Sequence, residues 1–102
     1  MFDRERPPTH PGELMREILD NARLPISVAA ARMRMSRQTL STVVHGRRAV
    51  TPETALRFTR LVGGNAALYL EMQSARDLWY ERQRLATALA QIEPLAAALP
   101  TR

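Results

Sequence analysis

Helix-starting and helix-stopping residues recur along this chain at short intervals, and that punctuation limits its fold more than any other feature. Starts stand at His10-Pro11-Gly12-Glu13, Pro25, Ser36, Thr51-Pro52-Glu53 and Asn65, and stops at Gly46, Gly63-Gly64 and Pro94. Proline suits the first helical position, where no N–H is needed, while Ser, Thr and Asn side chains satisfy the free N–H groups of a first turn. Between these marks apolar residues repeat at helical spacing: Leu14, Met15, Ile18 and Leu19, then Leu40, Val43 and Val44, then Ala55, Phe58 and Val62. Strand alternation is absent. The pattern predicts an all-α fold. Its first helix opens at Pro11 and fades near Asn21 to Arg23, and its second covers Ile26 to Met33. The third runs from Arg37 to His45, the fourth starts at Pro52, and a fifth starts at Ala66. That last helix is expected to continue to about Ile92, with a bend near Ser74 to Arg76.

At 102 residues the chain suits one domain with a single helical core. Cysteine is absent, so disulfides and thiolate metal sites are excluded and packing alone must hold the fold, as suits a reducing cytoplasm. Met1 to Pro11 carries charges and prolines where a signal peptide needs an apolar run, and nothing approaches the ~20 apolar residues of a membrane span. A cytoplasmic protein without membrane contact is expected.

The net charge is +5, and all 15 basic residues are arginines. Six of them, Arg23, Arg32, Arg34, Arg37, Arg47 and Arg48, fall in a window from 23 to 48 that holds no acidic residue. A planar, permanently charged fork suits phosphates and guanine edges, so this window reads as an electrostatic footprint for nucleic acid. The competing reading is a solvated basic face, and the local pattern decides between them. Ala30, Met33, Met35, Leu40 and Val43 follow one another at intervals of three, two, five and three residues, the apolar skeleton of a helix-turn-helix. Ala30 lets the second helix lie close to the third, Met35 plugs the turn, and Leu40 and Val43 anchor the third. Arg37, Gln38, Ser41 and Thr42 then point outward, and these types can read base edges.

Two positions depart from the usual motif. Arg34 stands where glycine normally allows a left-handed turn, so a different turn geometry is expected. Ile26 stands where a phosphate-contacting glutamine is common, so that contact is expected to be absent or made by Ser27.

The run His10-Pro11-Gly12-Glu13, Ser36-Arg37-Gln38-Thr39-Leu40-Ser41, Gly46-Arg47-Arg48, Thr51-Pro52-Glu53 with Ala55-Leu56-Arg57, and Tyr69-Leu70-Glu71-Met72-Gln73 with Asp77-Leu78-Trp79 resembles HigA-type antitoxins of the Xre helix-turn-helix class. The likeness covers roughly positions 9 to 80. It departs at Tyr69 and Arg76-Asp77, where the family has an aromatic and then a tyrosine-aspartate pair. The resemblance implies a five-helix Xre or lambda-repressor-like domain with an extended C-terminal helix. It further implies a homodimer on a palindromic operator that represses its own operon, a partner toxin of the HigB type that cleaves mRNA, and no catalytic activity or cofactor. The alternative is a stand-alone Xre-type repressor with no toxin partner.

The expected organisation is a flexible segment over 1–9, a helix-turn-helix DNA-binding domain over 10–75, and a C-terminal helical extension over 76–102 that serves dimerisation. Candidate DNA contacts are Ser27, Ser36, Arg37, Gln38, Thr39, Ser41, Thr42, His45, Arg47 and Arg48. The apolar stripe of Leu78, Leu85, Leu89 and Ile92 exceeds what a five-helix core needs, and a stripe with nothing left to cover covers a partner or folds back on its own domain. Leu78, Trp79, Leu85 and Leu89 are the candidate dimer contacts; Trp79, Tyr80, Leu68 and Met72 have a second reading as a toxin-binding patch. His10 and His45 lie apart from each other and from carboxylates, which disfavours a metal and favours helix capping or phosphate contact.

Overall fold

Four of the predicted caps are made by the side chains that the sequence nominates. His10 Nδ1 accepts the Gly12 N–H at 2.8 Å, Ser36 Oγ that of Thr39 at 3.0 Å, Thr51 Oγ1 that of Thr54 at 3.2 Å, and Asn65 Oδ1 that of Ala67 at 2.9 Å. The computed structural model describes residues 6–96, and among these its regular structure is entirely helical. In chain order the helices are α1 (Pro11–Asn21), α2 (Ile26–Met33), α3 (Arg37–Val44), α4 (Pro52–Val62), α5 (Ala66–Arg84) and α6 (Ala86–Ala90). The parts of the 1–9 and 76–102 segments at positions 1–5 and 97–102 lie outside the described residues.

The C-terminal extension differs in detail from the expected single bent helix. Helix α5 runs unbroken through Ser74 to Arg76, where Gln73 donates to Asp77 at 3.0 Å and Arg76 to Tyr80 at 3.3 Å, each spanning one turn. The interruption comes later, at Leu85, whose φ of −97° and ψ of 8° end α5 and lead into the short α6.

The apolar stripes of the first four helices face one core. Met15 and Leu19 of α1, Ala29, Ala30 and Met33 of α2, Leu40, Val43 and Val44 of α3, Ala55 and Phe58 of α4, Tyr69 of α5 and Val50 between helices are buried together. Phe58 and Tyr69 meet edge to face at 5.6 Å, and burial pushes the Tyr69 phenol up from its ordinary pKa. Burying a ring such as Phe58 contributes ~1.5–3 kcal/mol. Helix α3 rests on α1 and α2, while α4 joins α2 to α5, so the third helix is supported from behind and its other side faces solvent. The approach of α1 to α3 is close: a Cβ on Gly12 would lie 2.0 Å from the Val43 carbonyl oxygen. Only a residue without a side chain fits there.

Candidate nucleic-acid interface

The link between α2 and α3 sets the angle at which α3 is presented. Arg34 ends α2 in the left-handed region, at φ 57° and ψ 49°. Its N–H bonds to the Ala31 carbonyl at 3.1 Å, and the Met35 N–H reaches back to Ala30 at 3.0 Å. The left-handed turn that glycine usually supplies is therefore kept, which corrects the expectation of a different geometry. Met35 packs against the core beneath the turn, and Ala29 and Ala30 are buried at the helix crossing, as the apolar skeleton requires.

The polar residues of α3 divide into two groups. Ser36 and Thr39 serve the helix end, because Ser36 Oγ accepts the Thr39 N–H and donates to Thr39 Oγ1 at 2.8 Å. Thr42 Oγ1 donates to the Thr39 carbonyl at 2.8 Å, and His45 Nδ1 lies 2.7 Å from the Ser41 carbonyl, closing the C-terminal turn. Arg37 and Gln38 are exposed in the first turn of α3, and among the described residues no side-chain hydrogen bond ties either one down. Ser27 is exposed in the first turn of α2, whose N-cap, Pro25, offers no side-chain bond to the free backbone N–H groups.

Arg47 and Arg48 project from the loop after α3, and that loop is fastened from two sides. The Val50 N–H donates to Gln73 Oε1 at 2.8 Å, which anchors the loop to α5. From α1, the His10 ring is buried beneath Gly46, whose φ is 76°, and it hydrogen-bonds the Arg48 backbone. Because Nδ1 accepts from Gly12, the ring carries its proton on Nε2. Burial, and then the positive charge of Arg76, hold the His10 pKa below its ordinary value, outweighing Arg48, Glu13 and Asp77. A groove of about 380 Å³ separates the start of α3 from the start of α4, and Arg34, Ser36, Thr39, Arg48 and Arg57 are among its lining residues. Arg57, Gln73 and Arg76 were not nominated from sequence. They act over 23 to 68 residues, through bonds to the Met33 and Arg34 carbonyls, to Val50 and to the Pro8 carbonyl, and local spacing carries no signal for such contacts.

The candidate dimer residues lie away from the core. Leu78 and Leu89 are exposed, Trp79 and Leu85 half-buried, and Trp79 meets Tyr80 edge to face at 5.2 Å. Tyr80 also lies under the Arg76 guanidinium, at 5.3 Å from the ring centre. Leu68 is exposed and Met72 half-buried. No helix among the described residues is long and apolar enough to cross a membrane, and no group of three His, Cys, Asp or Glu among them could hold a metal ion.

Two crossed helices, an outward polar edge and a fastened arginine loop define a helix-turn-helix DNA-binding protein. Comparison with known proteins agrees. The HTH-type transcriptional regulator YbaQ of Escherichia coli is 31% identical over 100 residues, covering 95% of this chain and 88% of YbaQ. Virulence-associated protein I of Dichelobacter nodosus is 39% identical over 75 residues, covering 72% of this chain and 69% of its own. Among solved structures, the Pseudomonas aeruginosa antitoxin HigA with the higBA promoter matches with a TM-score of 0.80 at 27% identity, over 86% of this chain and 98% of that one. No protein-family model matches. The chain belongs to the HTH-type transcriptional regulators that include YbaQ, and it shares its fold with the HigA antitoxin.

Proposed function

We propose that this protein is the antitoxin of a type II toxin-antitoxin pair, binding operator DNA as a homodimer, repressing its own operon and neutralising a HigB-type mRNA-cleaving toxin. The observation that carries the DNA half is the free polar edge of α3, with Arg37 and Gln38 exposed in its first turn on a scaffold shared with a promoter-bound antitoxin. In this reading α3 enters the major groove. Arg37 faces a guanine edge, Gln38 pairs with an adenine through its donor and acceptor, and Ser41 and Thr42 lie one turn on. Arg47, Arg48, His45 and Ser27 contact phosphates on either side, while Ser36 and Thr39 present the α3 N-terminus. Two half-sites ~34 Å apart call for two-fold pairing, which the apolar residues Leu78, Trp79, Leu85 and Leu89 supply. The protein works by binding, without catalysis or cofactor.

The toxin half is tested by co-expression. A small basic reading frame adjoining this gene should arrest growth when induced alone, and this chain should relieve the arrest. Gln38→Ala should still relieve it while losing repression of a reporter fused to the upstream DNA. If no neighbouring product causes an arrest that this chain relieves, the protein is a stand-alone repressor.

A further inference from the structure

The turn between α2 and α3 holds a residue with a side chain in a backbone region that favours glycine. Arg34 lies at φ 57° and ψ 49°. A Cβ there crowds the backbone, so on local grounds residue 34 gains by leaving the left-handed region, and doing so would swing the Ser36 cap and all of α3 relative to α2. The carbonyls at the end of α2 also lack helical partners. Arg57 of α4 answers both needs. Its Nη1 donates to the Met33 carbonyl at 2.8 Å and to the Arg34 carbonyl at 3.2 Å, while its Nε is held by Glu53 at 3.0 Å. The guanidinium is thereby oriented by its own helix and aimed at the turn. Arg32, Arg34 and Arg60, which line the groove beside it, are exposed.

We propose that Arg57 is a positioning residue for the recognition helix: it fastens the turn in the conformation that glycine adopts unaided, and so fixes the angle at which Arg37 and Gln38 are presented. This rests on α3 being the element that reads DNA. With Nε and Nη1 both bonded inside the protein, Arg57 differs in role from the exposed arginines of the same surface.

The test uses four full-length proteins: wild type, Arg57→Met, Arg34→Gly and the double variant. Methionine keeps the aliphatic stem and removes the donors; glycine removes the need for them. Each is titrated at one salt concentration against a duplex taken from upstream of its own gene and a scrambled duplex of the same composition, and each is melted. Arg57→Met should lower the preference for the upstream duplex about tenfold, as loss of hydrogen bonds to a charged donor implies. Arg34→Gly in that background should restore most of the preference although it removes a second positive charge. A parallel loss on both duplexes, with a reduced salt slope and no rescue by glycine, would make Arg57 a phosphate contact and overturn the proposal. A lower Tm with unchanged preference would overturn it too. If Arg57→Met does not fold, Arg57→Lys replaces it, keeping the charge without the fork; the preference should fall while scrambled-duplex affinity holds. If wild type itself shows no preference, the DNA reading fails, and the fastened turn is then judged on Tm alone. Non-additive melting of the two substitutions supports it, and additive melting rejects it.

Discussion

Substituting Gly12 by alanine sets two physical effects of opposite sign against each other. Gly12 sits in the first turn of α1, and intrinsic helix propensity alone favours alanine there by ~0.5–1 kcal/mol. The packing argues the other way. The new Cβ would meet the Val43 carbonyl oxygen at 2.0 Å, its carbon at 2.9 Å and His10 Nδ1 at 2.9 Å, where ordinary contact begins at 3.4 Å. Two of these neighbours are backbone, so α1 and α3 must part by about 1.4 Å rather than rotate a side chain away. Overpacking of this kind costs ~1–3 kcal/mol, and loss of the His10 cap adds ~1 kcal/mol. After the propensity gain the net destabilisation is ~1–3.5 kcal/mol, which in a domain of this size lowers Tm by roughly 4–28 °C. Circular dichroism melts of wild type and Gly12→Ala at equal protein concentration measure this. A Tm that rises, or falls by less than about 4 °C, would refute the close crossing of α1 and α3 and with it the support described for the recognition helix.

Three further outcomes follow from the same geometry. His10 accepts a hydrogen bond through Nδ1 and its pKa is lowered, so its contribution to stability is present above its unfolded value of 6.5 and is lost as pH falls from there through the folded value; Tm should drop between pH 7.5 and 5.5 in wild type, and stay flat, from a lower start, in His10→Asn. Replacing Leu78 and Leu89, which are 53% and 46% exposed, with glutamate should convert a dimer to a monomer in sedimentation without changing helicity; a surviving dimer moves the interface elsewhere. Arg47→Ala with Arg48→Ala should weaken binding to all duplexes alike and reduce the log–log salt slope by about 1.8, whereas loss confined to one sequence would make these residues base readers.

The features legible in sequence are those whose chemistry is local. His10, Ser36, Thr51 and Asn65 mark helix starts because a cap needs only its own first turn, and the span Ile26–Met33 of α2 follows from Pro25 and the buried alanine pair. Of the set that period alone turns outward on α3, Arg37 and Gln38 are exposed, while Ser41 and Thr42 are half-buried and the Thr42 hydroxyl bonds the Thr39 carbonyl. What escaped is long-range. Arg34 in place of glycine pointed to an altered turn, yet the turn is kept, and Arg57, 23 residues on, donates to the Arg34 carbonyl. Arg57 and Glu53 read locally as an ordinary surface pair at one-turn spacing, which conceals the third bond. The loop with Arg47 and Arg48 is likewise pinned by Gln73 and His10, from helices on either side of it in the chain. The interruption at Leu85 carries neither glycine nor proline, so punctuation had nothing to show there.

The central claim is that the first turn of α3 reads base sequence. Its direct test is the ratio of affinities for the upstream duplex and a scrambled duplex, measured at one salt concentration for wild type and Gln38→Ala. Gln38 is exposed and its side chain makes no hydrogen bond among the described residues, so its removal should leave the fold and the scrambled-duplex affinity alone. A bidentate contact to adenine discriminates by ~1–3 kcal/mol, so the ratio should fall by roughly 5- to 150-fold. An unchanged ratio with intact helicity would contradict the claim and show that the reading face lies elsewhere.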